Sequence, residues 1–188
     1  MVSTTTLSLS LEDFLKQPET KPASEYINGQ IYQKFMPQGK HSIVQTRLSS
    51  AVNQTGIASQ TAHAFTELRC TFGHRSIIPD IAVFEWSHIP LAQNGEIENV
   101  FPIHPDWTIE ILSPEQRSTR VIDNIVFCLN HGTQLGWLID PDERIVLIFL
   151  PNQLPITLED PAAQLPVLSV LGGWQITIGE LFGWLSFQ

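Results

Sequence analysis

The chain has 188 residues, 43% of them hydrophobic and 15% charged, with a formal net charge of −9. That is long and apolar enough for one domain over residues 1–188 with a buried core, which excludes a disordered chain. No apolar run reaches the roughly 18 residues that cross a bilayer, and the Ser/Thr-rich start (Met1 to Ser10) has neither the basic nor the apolar region of a secretion signal, so a cytoplasmic location is expected. The acidic balance argues against tight, sequence-independent DNA binding by a monomer, because a phosphate backbone is held by Lys and Arg. A local basic patch, a second copy or a metal ion offsets that balance.

Taken in chain order, Ser10-Leu11-Glu12-Asp13-Phe14-Leu15 predicts a short capped helix. Tyr26 to Lys34 alternates around Asn28-Gly29, the pattern of a hairpin. Ile43, Val44, Arg47, Leu48, Ala51 and Val52 follow helical spacing, with Gly56 as the expected stop. Strands are expected around Gln60–Ala64, Glu67–Phe72 and Ile77–Phe84, then a long loop with three prolines from Ser87 to Asp106, then a strand through Glu110 that ends at Ser113-Pro114. Ser118 is the expected cap of a helix running to His131, with Gly132 just past its end. Leu135–Ile139 and Arg144–Leu150 read as strands joined by the turn Asp140-Pro141-Asp142-Glu143. The remainder is Pro-rich until Trp174–Ile178 and a short terminal helix. This order predicts an α/β or α+β domain, a mixed central sheet flanked by helices.

Two acids stand inside apolar runs: Asp80 in Ile77-Ile78-Pro79-Asp80-Ile81-Ala82-Val83-Phe84, and Glu110 in Trp107-Thr108-Ile109-Glu110-Ile111-Leu112. A carboxylate is costly to bury unless something positive compensates it. Asp80 could be a solvated residue near a strand end with Pro79 marking where pairing starts, and Glu110 could lie on an edge strand with one wet face. Two such acids on two central strands instead fit a divalent metal. Magnesium takes oxygen ligands and keeps several waters, so one or two carboxylates suffice. It lowers the pKa of a bound water and offsets phosphate charge.

A nearby cation would then stabilise the transition state. On the helix after Ser118, Arg117, Arg120, Asn124 and His131 fall along one edge, which is either a solvated face or a phosphate clamp. An arginine there can clamp phosphate but cannot act as a general base. Glu25 and Glu67 are further acids within reach, and Lys40-His41 opens the second helix. Cys70 and Cys128 lie in no metal-binding spacing and read as buried small apolar side chains. Trp137, Trp174 and Trp184 read as core. No GxSxG elbow, Walker loop or GxGxxG is present.

At these residues the chain resembles the Uma-two family of bacterial restriction-endonuclease-like proteins. The matching pieces are the Ser10–Leu15 segment, Glu25-Tyr26-Ile27-Asn28-Gly29-Gln30-Ile31, His41, Ile78-Pro79-Asp80-Ile81-Ala82-Val83, Glu110-Ile111-Leu112-Ser113-Pro114, Gly132 to Pro141, and the Leu171–Leu185 ending. The resemblance implies a PD-(D/E)XK nuclease core with a magnesium-dependent acidic site, and pairing into a homodimer. It assigns Pro79-Asp80 to the "PD" element, Glu110 to the second acid and Glu25 to the acid preceding the core. The motif lysine would fall two residues after the second acid, where Leu112 stands. In the family a lysine often comes instead from the following helix near Asn124, leaving Arg120 as the nearest cation there and Lys40 as the alternative from elsewhere.

Two functions are therefore expected. The first is a magnesium-dependent (or manganese-dependent) endonuclease acting on DNA, with Asp80 and Glu110 on the metal, Glu25 assisting and Arg120 on the phosphate. The alternative is a catalytically impaired module that keeps the fold and binds a partner or itself; the missing lysine and the −9 charge favour it.

Overall fold

The structure is a computed structural model and describes residues 9–114 and 116–187; most of the N-terminal stretch read for a secretion signal lies outside them. Helix α1 (Leu11–Leu15) is capped by the Ser10 side chain. Strands β1 (Ser24–Ile27) and β2 (Gln30–Gln33) form the expected hairpin, with Asn28 and Gly29 both at positive φ as this tight turn requires. Helix α2 (Gly39–Ser59) leads to β3 (Ala62–Thr66), β4 (Cys70–Phe72), β5 (Arg75–Ile77) and β6 (Ile81–Glu85). After the long loop come β7 (Trp107–Ile111), α3 (Ser118–Leu129), β8 (Leu135–Asp140), β9 (Ile145–Phe149), β10 (Ile156–Leu158) and α4 (Ile178–Gly183).

These strands make two sheets. The larger runs β10-β9-β8-β7-β6-β3, and the smaller runs β2-β1-β5-β4. Only β7 and β8, joined through α3, pair in parallel; every other strand pair is antiparallel, so the larger sheet is mixed. Period-two alternation sorts its side chains. Ile81, Val83, Ile109, Ile111, Trp137 and Ile139 pack on one face with Val44, Leu48 and Val52 of α2. Leu138 and Phe149 face the other way, against Val121 and Ile125 of α3. Thr108 and Glu110 share that second face, which puts Glu110 under α3. Trp107 and Trp137 meet edge to face at 4.7 Å in the core, and Cys70 and Cys128 are free and buried.

Four sequence expectations differ from the structure. Ile77–Phe84 is not one strand: β5 belongs to the smaller sheet and β6 to the larger, and the chain changes sheets through Ile78-Pro79-Asp80. Proline has no N–H for a ladder, so the pairing breaks there. Glu67–Phe72 is likewise interrupted, because Glu67 adopts φ 52° and kinks the chain between β3 and β4. Gly56 does not stop α2. The helix ends at Gln60 in the left-handed conformation, and Gly56 instead lets the helix approach β3, where an added Cβ would lie 2.2 Å from the Ala62 carbonyl oxygen. Finally, Ser118 is the first residue of α3 rather than its cap, which falls on Arg117, and the helix ends at Leu129 rather than His131; in the tail, Trp174–Ile178 makes a single bridge, Gln164 to Thr177, while Ile156–Leu158 pairs with β9.

Candidate active site

The register of β6 against β7 pairs Ile81 with Ile109. One residue further along this antiparallel pair, Asp80 lies beside Glu110. The break at Pro79 leaves Asp80 just outside the ladder, and its carboxylate takes over the pairing: Oδ2 accepts from the Ile111 N–H at 2.7 Å. His41 Nε2, in the first turn of α2, lies 3.0 Å from the same oxygen. The other oxygen, Oδ1, accepts from Lys34 Nζ at 2.6 Å.

Lys34 was not among the sequence candidates, and it is the cation of this site. It follows β2, and its ammonium also donates to the Ile78 carbonyl at 2.6 Å and lies 3.9 Å from Glu110 Oε2 and 4.0 Å from Glu67 Oε2. The cation that the position of Leu112 lacks thus enters from the first hairpin. A signal for it was present in the sequence. The Asn28-Gly29 turn pairs Glu25 with Tyr32, so the next residue on that face, Lys34, falls on the same side as Glu25. Lys40, the alternative candidate, is corrected: its ammonium pairs with Asp142 at 2.5 Å on the surface.

Glu25 is held on the same side. Its Oε1 accepts from the Ile78 N–H at 2.8 Å, and its Oε2 accepts from Asn124 Nδ2 at 3.1 Å. Asn124 therefore ties α3 to the hairpin. Arg120, one turn earlier on α3, does not touch the acids. Its guanidinium carbon stacks 3.6 Å from the centre of the Tyr32 ring. Glu25, Lys34, Glu110, Arg120 and Asn124 line one cavity of about 250 Å³ between the hairpin and α3, with Arg117 at its rim. His131 does not share this edge: it packs against Phe72 and Phe127.

Burial sets the electrostatics. Asp80 is 3% exposed, Glu110 4% and Glu25 6%. Burial pushes Asp80 upward, but the Lys34 ammonium and the His41 hydrogen bond overcome it and hold the carboxyl well below its usual range. Glu110 goes the other way: desolvation outweighs Lys34 and raises it well above an ordinary glutamate, with Asp80 and Glu25 adding to the rise. Glu25 is raised, again chiefly by burial. Burial alone would lower Lys34, yet the charges of Asp80, Glu110, Glu67 and Glu25 raise it, so it stays an ammonium.

The chain matches, over residues 11–179, the model of a family described as "Putative restriction endonuclease" and named Uma2. The chain belongs to the Uma2 family. A crystal structure of a "putative nuclease belonging to DUF820" from Anabaena variabilis is 54% identical, with a TM-score of 0.93 over 94% of this chain and 99% of that one. No curated protein matches. The mixed α+β architecture is thus that of a nuclease-like neighbour, and a nuclease role is supported by family membership.

The residues of this Uma2 site fit a hydrated magnesium ion better than a fully protein-caged one. Among the described residues no three His, Cys, Asp or Glu side chains are placed to share an ion. Two carboxylates do converge, and magnesium needs no more than that when waters complete its shell. Glu110 bears on this directly: it is 4% exposed, and the Lys34 ammonium lies 3.9 Å from its Oε2 as a counter-charge. A buried carboxylate in that condition gains from a second positive charge.

Proposed function

We propose that this protein is a magnesium-dependent endonuclease that hydrolyses DNA phosphodiester bonds, with manganese able to replace magnesium. The observation that carries this reading is the convergence of Asp80 and Glu110, set side by side by the β6–β7 register, on the Lys34 ammonium, with Glu110 and Lys34 lining the cavity beside α3. Asp80 and Glu110 would hold the metal, which when bound supplies an activated water and offsets phosphate charge. Lys34 cannot serve as a base, since its neighbours keep it protonated. It provides fixed positive charge and N–H donors where negative charge grows on the phosphate. Glu25, made more basic by burial, assists by accepting a proton while Asn124 and the Ile78 N–H hold it in place. Arg120, set by the Tyr32 ring, binds a phosphate oxygen at the rim. In the reaction the water oxygen bonds to phosphorus as its proton passes to Glu25, the bond to the leaving oxygen breaks, and the leaving oxygen takes a proton from solvent.

The non-catalytic alternative leaned on a missing lysine, and Lys34 supplies an ammonium that weakens its case. The same reading includes a homodimer and a cytoplasmic location. Among the described residues no helix is long and apolar enough to cross a membrane, and sedimentation at several concentrations tests the dimer. The activity is tested by incubating supercoiled plasmid with the protein and magnesium or manganese. Nicked and linear products are expected, and they disappear in Asp80→Ala and in Glu110→Ala variants that retain native circular dichroism. DNA left intact with both metals, the plasmid and a single-stranded circle alike, rejects the reading.

A further inference from the structure

Glu25, Glu110 and Lys34 line a cavity of about 250 Å³, and Phe35, Arg117 and Arg120 bring a different chemistry to the same lining. Phe35 lines it and is 51% exposed, an unusual position for a phenylalanine beside buried carboxylates. The Arg120 guanidinium carbon lies 3.6 Å from the centre of the Tyr32 ring, a cation–π contact that positions the guanidinium in the cavity lining. Arg117 stands at the start of α3, and no side chain from that position caps the helix. The first turn of α3 contains no acid, so its amide end is electrostatically open to an anion. An exposed ring, a ring-backed arginine and Arg117 at the uncapped helix start therefore line one cavity.

From this arrangement we propose that the substrate of the site is a single-stranded segment of DNA, one nucleotide of which enters the cavity with its base against Phe35 and its phosphate between Arg120 and the start of α3. This inference rests on the nuclease reading and narrows its substrate. Base–aromatic stacking with a short basic track is how single strands are held without sequence preference. Duplex DNA presents stacked bases that offer no face to Phe35. It also presents one negative charge per roughly 1.7 Å and needs many counter-charges, whereas this chain has a net charge of −9 and only Lys34, Arg117 and Arg120 as cations among the residues lining the cavity. The acids, 3% to 6% exposed, are reached by a strand that can bend inward rather than by a stiff double helix.

The test uses the full chain with fluorescein-labelled oligodeoxythymidylate of about 15 nucleotides, long enough to cover one such groove, and the matching duplex. Binding is read by anisotropy in calcium, and cleavage separately in magnesium. The single strand is expected to bind at least about tenfold more tightly than the duplex. Phe35→Ala is expected to remove about tenfold of that affinity, the size of one base–aromatic stack, and Phe35→Trp to restore it. Because Phe35 is exposed, both variants should fold. Equal or tighter binding of the duplex, or single-strand affinity indifferent to Phe35→Ala, overturns the inference. Plasmid cleavage with duplex-preferring binding would overturn this inference while leaving the nuclease reading intact. Tight, Phe35-dependent single-strand binding with no cleavage in any metal would support the strand site and reject the nuclease instead.

Discussion

Lys34 sits 2.6 Å from one buried carboxylate and 3.9 Å from another, with its side chain 12% exposed. Removing one partner of such a group leaves charge buried without compensation, and such changes cost about 3 kcal/mol or more. Lys34→Met should therefore lower stability by about that amount in urea titrations, and it should abolish cleavage even where the fold persists. Lys34→Arg, which keeps the charge, should recover part of the stability. The pH dependence follows from the opposite shifts of the acids. A carboxyl raised in the native state, such as Glu110 or Glu25, keeps its proton there after the unfolded chain has lost it. Between the ordinary glutamate value of 4.5 and the raised native value the folded form binds more protons, so stability falls as pH rises through that interval. Asp80 acts in the other direction: its depressed value stabilises the fold above the ordinary 3.8 and loses that contribution as pH falls further. Unfolding free energy measured over a pH series should decline above 4.5 in the metal-free protein, and Glu110→Gln should make the decline shallower.

Elements place these residues through two irregularities. Pro79 ends one sheet and begins the other, so Asp80 sits at the joint with its carboxylate bonded to the β7 backbone. Gly56 lets α2 lie against β3, and α2 in turn carries His41 to Asp80 and Gln45 to the Asp80 carbonyl, 2.8 Å away. Helix propensity alone favours Ala over Gly by about 1 kcal/mol. Here the added methyl would stand 2.2 Å from backbone oxygen, so Gly56→Ala should instead destabilise the protein by about 2 kcal/mol, the usual scale of overpacking. Thermal unfolding of the variant checks this. Both irregularities were visible as residues, but their consequences were not. Pro79 interrupts an apolar run that otherwise reads as one strand, and Gly56 follows apolar residues at helical spacing, where glycine commonly marks an end.

At the scale of the whole molecule, β6 and β7, whose pairing sets Asp80 beside Glu110, were legible because their residues are apolar, and a central sheet leaves few places for such runs. The hairpin and α3 were legible for similar local reasons: a two-residue turn in one case and helical spacing in the other. The cation was harder to find. Lys34 is 46 residues before Asp80 and reaches it from another sheet, so no local spacing connects them; only the hairpin register pointed that way. The segment after β9 was least legible, because its prolines suppress alternation and its apolar residues pack without forming a strand at Trp174–Ile178. Everything functional depends on whether the space beside Lys34 accepts a divalent ion between the two acids. A crystal soaked in manganese and measured at an anomalous wavelength tests this directly. One anomalous peak bonded to Asp80 and Glu110 oxygens is expected, absent from a Glu110→Ala crystal. A fully occupied Lys34 bridge with no peak, at manganese concentrations that saturate other carboxylate sites, would contradict it.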